Sequence, residues 1–200
     1  TFDFTANNPS TPGTTIWDLG NVYLTQEQNE KSVLANLTHQ FDTQNSRNKL
    51  LLGIDYSELK DGGYLAFADT GTDIDLLNPV FTAPYIQPAK SPFTLIQDGL
   101  LTNTTYGMYA QLQSDIGERW HTTVGVRQAY VEIDYTELTL ASNQKSKENE
   151  LLPRLGVVYD LSSNWSLFAS HSKGLRGQPF TIFAPNARPV PAESKSSEVG

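Results

Sequence analysis

Apolar and polar residues alternate one by one over long stretches of this chain. A period of two puts them on opposite faces of an extended strand, so each such stretch is expected to form a strand with one apolar and one polar face. From Val33 to Phe41 the odd positions are Val33, Ala35, Leu37, His39 and Phe41, with Asn36, Thr38 and Gln40 between them. After a polar turn at 42–48, Leu50, Leu52, Ile54 and Tyr56 share one face and Gly53, Asp55 and Ser57 the other, which makes a hairpin with the preceding run. The pattern returns in Thr104 to Ile116, Trp120 to Tyr135, Arg154 to Leu161 and Trp165 to His171, and a weaker run covers Thr15 to Thr25. The fold class is all-β, an antiparallel meander of about eight strands.

Connections alternate strictly between short and long. Short turns are read at 42–48, 117–119 and 162–164, and long segments at 58–103, 136–150 and 174–195. A transmembrane β-barrel has short turns at one rim and long external loops at the other, so the asymmetry favours a barrel over a soluble sandwich. All three tryptophans, Trp17, Trp120 and Trp165, begin a run that leaves a short-turn end, which predicts that they lie at one membrane interface. If the 117–119 turn sets the register, Ile116 opposes Trp120, Leu112 opposes Val124, Ala110 opposes Val126 and Tyr106 opposes Tyr130. Tyr106 and Tyr130 then close the upper edge. The interval from Trp120 to Tyr130, at roughly 3.3 Å per residue and a tilt of about 40°, spans about 25 Å, the height of a barrel's apolar band.

Composition removes other classes. There is no cysteine, so disulfides, thiolate metal sites and a cysteine nucleophile are excluded, and three scattered histidines do not build a metal cage. With 22 Asp and Glu against 14 Lys and Arg the net charge is -8, the wrong sign for neutralising nucleic-acid phosphates. No apolar run approaches the roughly 18–20 residues of a spanning helix, which leaves spanning strands open. No Ser-His-Asp order, phosphate loop or metal-ligand spacing stands out, and neither catalysis nor a resident metal is expected. Asp69 to Asp75 has alternating carboxylates suited to calcium, but an EF-hand needs Gly sixth and Glu twelfth where this chain has Ile74 and Val80. Asn36, Asn103 and Asn164 head Asn-x-Ser/Thr triplets, which matter only in a eukaryotic secreted protein. The chain opens on Thr-Phe-Asp-Phe without a leader and closes on Glu198-Val199-Gly200 in mid-pattern, as a piece of something longer would.

A series of motifs goes beyond architecture. Lys49-Leu50-Leu51-Leu52-Gly53-Ile54-Asp55-Tyr56, Asp73-Ile74-Asp75 with Asn78-Pro79-Val80-Phe81, Tyr106-Gly107-Met108-Tyr109-Ala110-Gln111 and Gly125-Val126-Arg127 follow one another in order. Leu152-Pro153-Arg154-Leu155-Gly156-Val157-Val158-Tyr159, Ser166 to Gly174, and Pro191-Ala192-Glu193 with Glu198-Val199-Gly200 continue the series. From about residue 31 to the end the chain resembles the barrel of TonB-dependent ferric-siderophore receptors. The resemblance implies a 22-stranded barrel of the bacterial outer membrane, plugged by an N-terminal domain and importing an iron chelate with energy from TonB. Residues 1–200 would then be a partial barrel domain, with the plug, the TonB-contacting segment and the C-terminal strands lying outside it. It implies as partners a ferric siderophore, TonB through the N-terminal region, and outer-membrane lipid, with a transported Fe(III)-siderophore and no covalently held cofactor. Alone, such a piece is expected to form an open curved sheet or to associate through its edges.

The polar faces carry Asp55, Tyr109, Gln111, Asp115, Arg127, Arg154 and Glu198, expected to line the lumen and contact the plug. Tyr109 should oppose Arg127 and Asp115 should oppose His121. Ligand contact is expected from aromatic and cationic side chains in the long segments, namely Tyr64, Tyr85, Phe93, Arg176, Phe183 and Arg188. The competing class is a soluble secreted carbohydrate-binding β-domain or a two-carboxylate glycosidase, which would bury its tryptophans or line a cleft with them.

Overall fold

A computed structural model describes residues 5–9, 13–81, 84–91, 94–178 and 187–200. Among the described residues nine strand segments form one antiparallel sheet: β1 (Thr5–Pro9), β2 (Ile16–Leu24), β3 (Glu27–Asp42), β4 (Ser46–Asp75), β5 (Leu95–Ile116), β6 (Trp120–Glu137), β7 (Ser142–Ser162), β8 (Trp165–Arg176) and β9 (Ala192–Val199). The order is β1-β2-β4-β5-β6-β7-β8-β9, with β3 also on β4. β3 pairs with the lower half of β4, from Arg47 to Gly62, and β2 with its upper half, from Leu65 to Asp75. They occupy one strand position interrupted at Thr25 and Gln26, so the sheet has eight positions, the meander expected. The interruption sits against Gly63, where any Cβ would run into the Thr25 carbonyl.

The register follows the tight turns. Gly117 takes a left-handed φ of 62°, and the ladder it starts pairs Ile116 with Trp120, Leu112 with Val124, Ala110 with Val126 and Tyr106 with Tyr130, as the sequence predicts. The hairpin of β3 and β4 pairs Leu37 with Leu52 and Ala35 with Ile54.

Two expectations are corrected. Most of the segments read as long loops are strand: β4 continues to Asp75, β5 begins at Leu95, and 138–141 is all that separates β6 from β7. In these upper extensions both faces carry polar residues, as in Asn143, Gln144, Lys145 and Ser146, so the hydrophobic period vanishes while the hydrogen-bonded ladder goes on. Trp17 is the second correction. It pairs with Ile74 near the far end of β4, whereas Trp120 and Trp165 follow the short turns. The run that Trp17 begins descends from the long-connection rim, so its tryptophan lies at the opposite end of the sheet.

The β7–β8 ladder ends at Arg154 and Ser172, beside Pro153, which has no N–H to extend it. Above this point Leu175 packs on a buried cluster of Leu101, Val131, Ile133 and Tyr135. The described ends of the β8–β9 connection add buried Gly177, Pro189 and Pro191.

Candidate functional site

Opposed residues of an antiparallel ladder share a face, so the register sorts every side chain. One face is apolar and exposed. Val33, Leu37, Leu52, Ile54, Met108, Val124, Val126, Leu151 and Leu155 all lie on it and are all solvent-accessible. A soluble domain would bury such a continuous surface. Aromatic pairs bound it: Trp120 meets Tyr159 with ring centroids 4.5 Å apart at the short-turn end, and Tyr106 stacks on Tyr130 at 4.9 Å, beside Tyr56, at the other. An apolar band edged by aromatic rows is the pattern that the outer face of a membrane barrel carries. Trp165, three-quarters exposed, lies near the lower edge.

The opposite face is polar and bonded in tiers. At the short-turn end a chain of contacts crosses five strands: Arg47 Nη2 to Asp115 Oδ2 at 3.6 Å, Asp115 Oδ1 to His121 Nδ1 at 2.7 Å, His121 Nε2 to Asp160 Oδ2 at 3.1 Å, and the Ser166 hydroxyl donating to Asp160 Oδ1 at 2.6 Å. The opposition of Asp115 and His121 is as expected. Asp160 is the second partner that reading missed, because it arrives from β7.

In the middle tier Tyr109 and Arg127 oppose each other but bond elsewhere. Arg127 lies across β5 and clasps Asp55 on β4 with both nitrogens, Nη2 donating to Oδ2 at 2.8 Å. Tyr109 lies across β4 and its hydroxyl donates to Asn36 on β3. Each passes over a glycine. A Cβ at Gly107 would meet the Arg127 guanidinium, and one at Gly53 would strike the Tyr109 ring. Gln111 packs along Gly125, and Arg154 and Glu198 are exposed on this face with no ion pair among the described residues.

Above the aromatic edge the polar face is buried. The Tyr135 hydroxyl donates to Glu137 Oε2 at 2.7 Å and accepts from Gln97 at 2.9 Å, while Glu137 Oε1 accepts the amide N–H of Asp98 and of Thr139, each at 3.2 Å. Burial, reinforced by the carboxylate beside it, pushes the Tyr135 phenol up to about 12. Burial also pushes Glu137 up, but the donors around it prevail and hold it below the ordinary carboxylate value. Asn103 and Ser146 flank Ile133, and their buried amide and hydroxyl have no hydrogen-bond partner among the described residues.

The described candidate ligand residues, Tyr64, Tyr85, Arg176 and Arg188, lie on separate parts of the fold. By register Tyr64 shares the apolar side with Tyr56, and Lys90 stands 5.1 Å over its ring while bonding Asp98 at 2.6 Å. It therefore holds down its own connection. Tyr85 is half-buried in the 76–94 connection, and Arg176 ends β8 opposite Ala192. Arg188 pairs with Glu148, a residue of the polar face opposite Val131. Phe93 and Phe183 lie outside the described residues. In the Asp69 to Asp75 stretch Asp69 caps the amide of Gly71, Asp75 accepts the Thr15 hydroxyl, and no group of three metal-ligating side chains forms among the described residues.

The comparisons agree with this wall. A model of the TonB dependent receptor-like β-barrel matches residues 1–200. Among curated protein sequences none matches. Solved structures do: the siderophore receptor PiuA from Acinetobacter baumannii (TM-score 0.68, 19% identity, 93% of this chain and 30% of that one) and the ferric citrate transporter FecA (0.59, 17%, 86% and 22%). The ferric yersiniabactin uptake receptor FyuA from Yersinia pestis is similar too (0.51, 16%, 94% and 27%). The chain thus spans between a fifth and a third of the length of these neighbours, and at such identities they share its fold. The chain belongs to the TonB-dependent receptor-like β-barrel family, transport receptors of the bacterial outer membrane.

Proposed function

We propose that the protein containing this wall takes up a ferric siderophore across the outer membrane with energy from TonB. The observation that carries the reading is the family match over residues 1–200 on a sheet whose two faces suit lipid on one side and a polar lumen on the other. In it, this chain contributes eight positions to a 22-stranded barrel around a plug. Arg154, Glu198 and Gln111, on the polar face, meet the plug. The bonded tiers of Asp55, Arg127, Tyr109 and Asp115 hold the wall to its curvature, since their partners lie within the sheet.

Cargo contact belongs above the aromatic edge. There Asn103 and Ser146 are polar groups without hydrogen-bond partners among the described residues, Arg176 ends β8, and Tyr85 and Arg188 belong to the 76–94 and 177–191 connections, the two segments of the sequence that also contain Phe93 and Phe183. Cationic and aromatic side chains suit an iron chelate, whose charge and flat ligand groups they neutralise and stack upon.

The test is binding and uptake by the full receptor in an iron-starved cell lacking other siderophore receptors. Labelled ferric hydroxamate, catecholate and carboxylate chelates are compared with haem and cobalamin. Uptake of one ferric siderophore class, abolished when TonB is removed, is expected. Saturable uptake of cobalamin or haem alone would overturn the cargo, and TonB-independent passage would overturn the energy source.

A further inference from the structure

Above Arg154 and Ser172 the wall has two layers. β8 parts from β7 there and runs on with β9 as a two-stranded ribbon, from the Ser172–Ser196 pair to Arg176–Ala192. Its back is tied to the polar face of the sheet: Leu175 packs on Leu101, Val131, Ile133 and Tyr135, and Lys173 Nζ stands 3.6 Å from Glu150. Strand alternation turns Ser172, Gly174 and Arg176 the other way, and their partners Ser196, Ser194 and Ala192 with them, so this front looks away from the wall on the lumen side.

The chemistry of the front is of one kind. Arg176 stands at its head and Arg154 at its foot, both exposed and neither in an ion pair among the described residues. Between them Ser172, Ser194 and Ser196 offer hydroxyls, and Ser194 lies over Gly174, where a Cβ would come within 2.6 Å of its oxygen. The first carboxylate on this front is Glu198, one step below Ser196, and no aromatic ring stands among these residues. From Ser172 to Arg176 the ribbon rises roughly 13 Å at about 3.4 Å per residue. Solvation accounts for a single exposed arginine. Two guanidinium groups with hydroxyls between them and no acid to quench either form an anion path, as rings of arginine or lysine do in anion-selective pores.

We propose that this strip is a wall site for ferric chelates of the carboxylate class, whose uncoordinated carboxylates it binds. Arg176 takes one carboxylate at the head, the serine hydroxyls donate to oxygens along the ribbon, and Arg154, where the strip meets the plug, holds another as the chelate descends. Guanidinium and carboxylate match in bidentate geometry. A hydroxamate chelate without net charge leaves both guanidinium groups unpaired, and a catecholate chelate brings aromatic rings to a front that has none to stack on them. The inference rests on the ferric-siderophore reading and names the class within it.

The test uses the full receptor in detergent, with folding followed by heat-modifiable mobility in gels. The probes are ferric chelates of an α-hydroxycarboxylate, an uncharged trihydroxamate and a tricatecholate. The carboxylate chelate is expected to bind most tightly, and less so as salt rises. Arg176→Gln should lower its affinity about tenfold and leave that for the trihydroxamate unchanged, while Arg176→Lys should recover part of the loss. Gly174→Ala, which keeps every charge in place but turns the Ser194 hydroxyl aside, should weaken the carboxylate chelate about threefold, as should Ser194→Ala. Preference for the trihydroxamate or tricatecholate, or a carboxylate affinity unmoved by Arg176→Gln and Gly174→Ala, would overturn the site and leave the ferric-siderophore reading standing. Failure of all three chelates to bind would strike that reading itself, and this site with it.

Discussion

Arg127 reaches Asp55 across an intervening strand because position 107 is glycine. The guanidinium lies flat over β5, and the pair is about three-quarters buried at both ends. A Cβ at Gly107 would sit 2.9 Å from the guanidinium carbon and 2.7 Å from the Gln128 carbonyl oxygen, and the carbonyl belongs to the ladder and has little room to move. Gly107→Ala is therefore expected to displace Arg127 and leave Asp55 unpaired, at a cost of about 2–3 kcal/mol. In a double-mutant cycle with Asp55→Asn, denaturant unfolding should show strong non-additivity, since both changes remove the same bond. Additive losses would mean that the glycine matters only for backbone packing.

The Tyr109 crossing makes the complementary test. Gly53→Ala places a methyl group in the path of the phenol ring and breaks its bond to Asn36. The same change made in Tyr109→Ala is expected to cost about 1 kcal/mol less than in the parent, because the ring it strikes has gone. Thermal unfolding of the four proteins in one detergent decides it.

What was legible in the sequence was local. The 117–119 turn and the alternation around it gave the register from Ile116–Trp120 up to Tyr106–Tyr130, and with it both faces. The bridges over Gly53 and Gly107 were not legible, since they depend on which glycine of one strand comes beneath which side chain of the next. Nor were the upper strands. Ser142 to Glu150 alternates polar with polar, so a period of two carries no contrast there. Trp17 was misplaced because the direction of β2 rests on its pairing with the far end of β4, and the break at Thr25 and Gln26 hid that β2 and β3 are one descending strand. The ligand candidates rested on residue type alone, and Tyr64 shows how an aromatic side chain in such a segment secures its own connection.

The Tyr135–Glu137 pair above the aromatic edge sets two pH limits for the rim. Glu137 is held below its ordinary value in the folded state, so its contribution is complete above the unfolded carboxylate value of about 4.3 and is lost as pH falls through the folded one. Tyr135 is raised to about 12 from 10.0, so the unfolded phenol ionises first and stability falls as pH climbs between these values. Proteolysis within 138–141 should accelerate at both extremes and stay flat between them. Glu137→Gln should remove the acid limb, because the amide no longer titrates, and should slightly lower the alkaline one. Ultraviolet titration should find one phenol that ionises last and joins the exposed tyrosines in Tyr135→Phe.

The separation of the tryptophans gives a test of the whole face assignment. Trp120 and Trp165 follow the short turns, with Trp120 packed on Tyr159 at the lower edge of the apolar band, while Trp17 pairs with Ile74 at the other end of the sheet. Some 25 Å of band lies between the aromatic rows in a barrel of this kind, well beyond contact quenching. In vesicles containing lipids brominated at one acyl depth, near the headgroup, single-tryptophan variants that keep Trp120 or Trp165 should be quenched strongly. The variant keeping Trp17, beyond the tyrosine row, should respond mainly to an aqueous quencher added outside. If Trp17 were quenched by lipid as strongly as Trp120, its strand would have to descend within the band. If none were quenched, the exposed apolar face would be covered by protein and not by lipid.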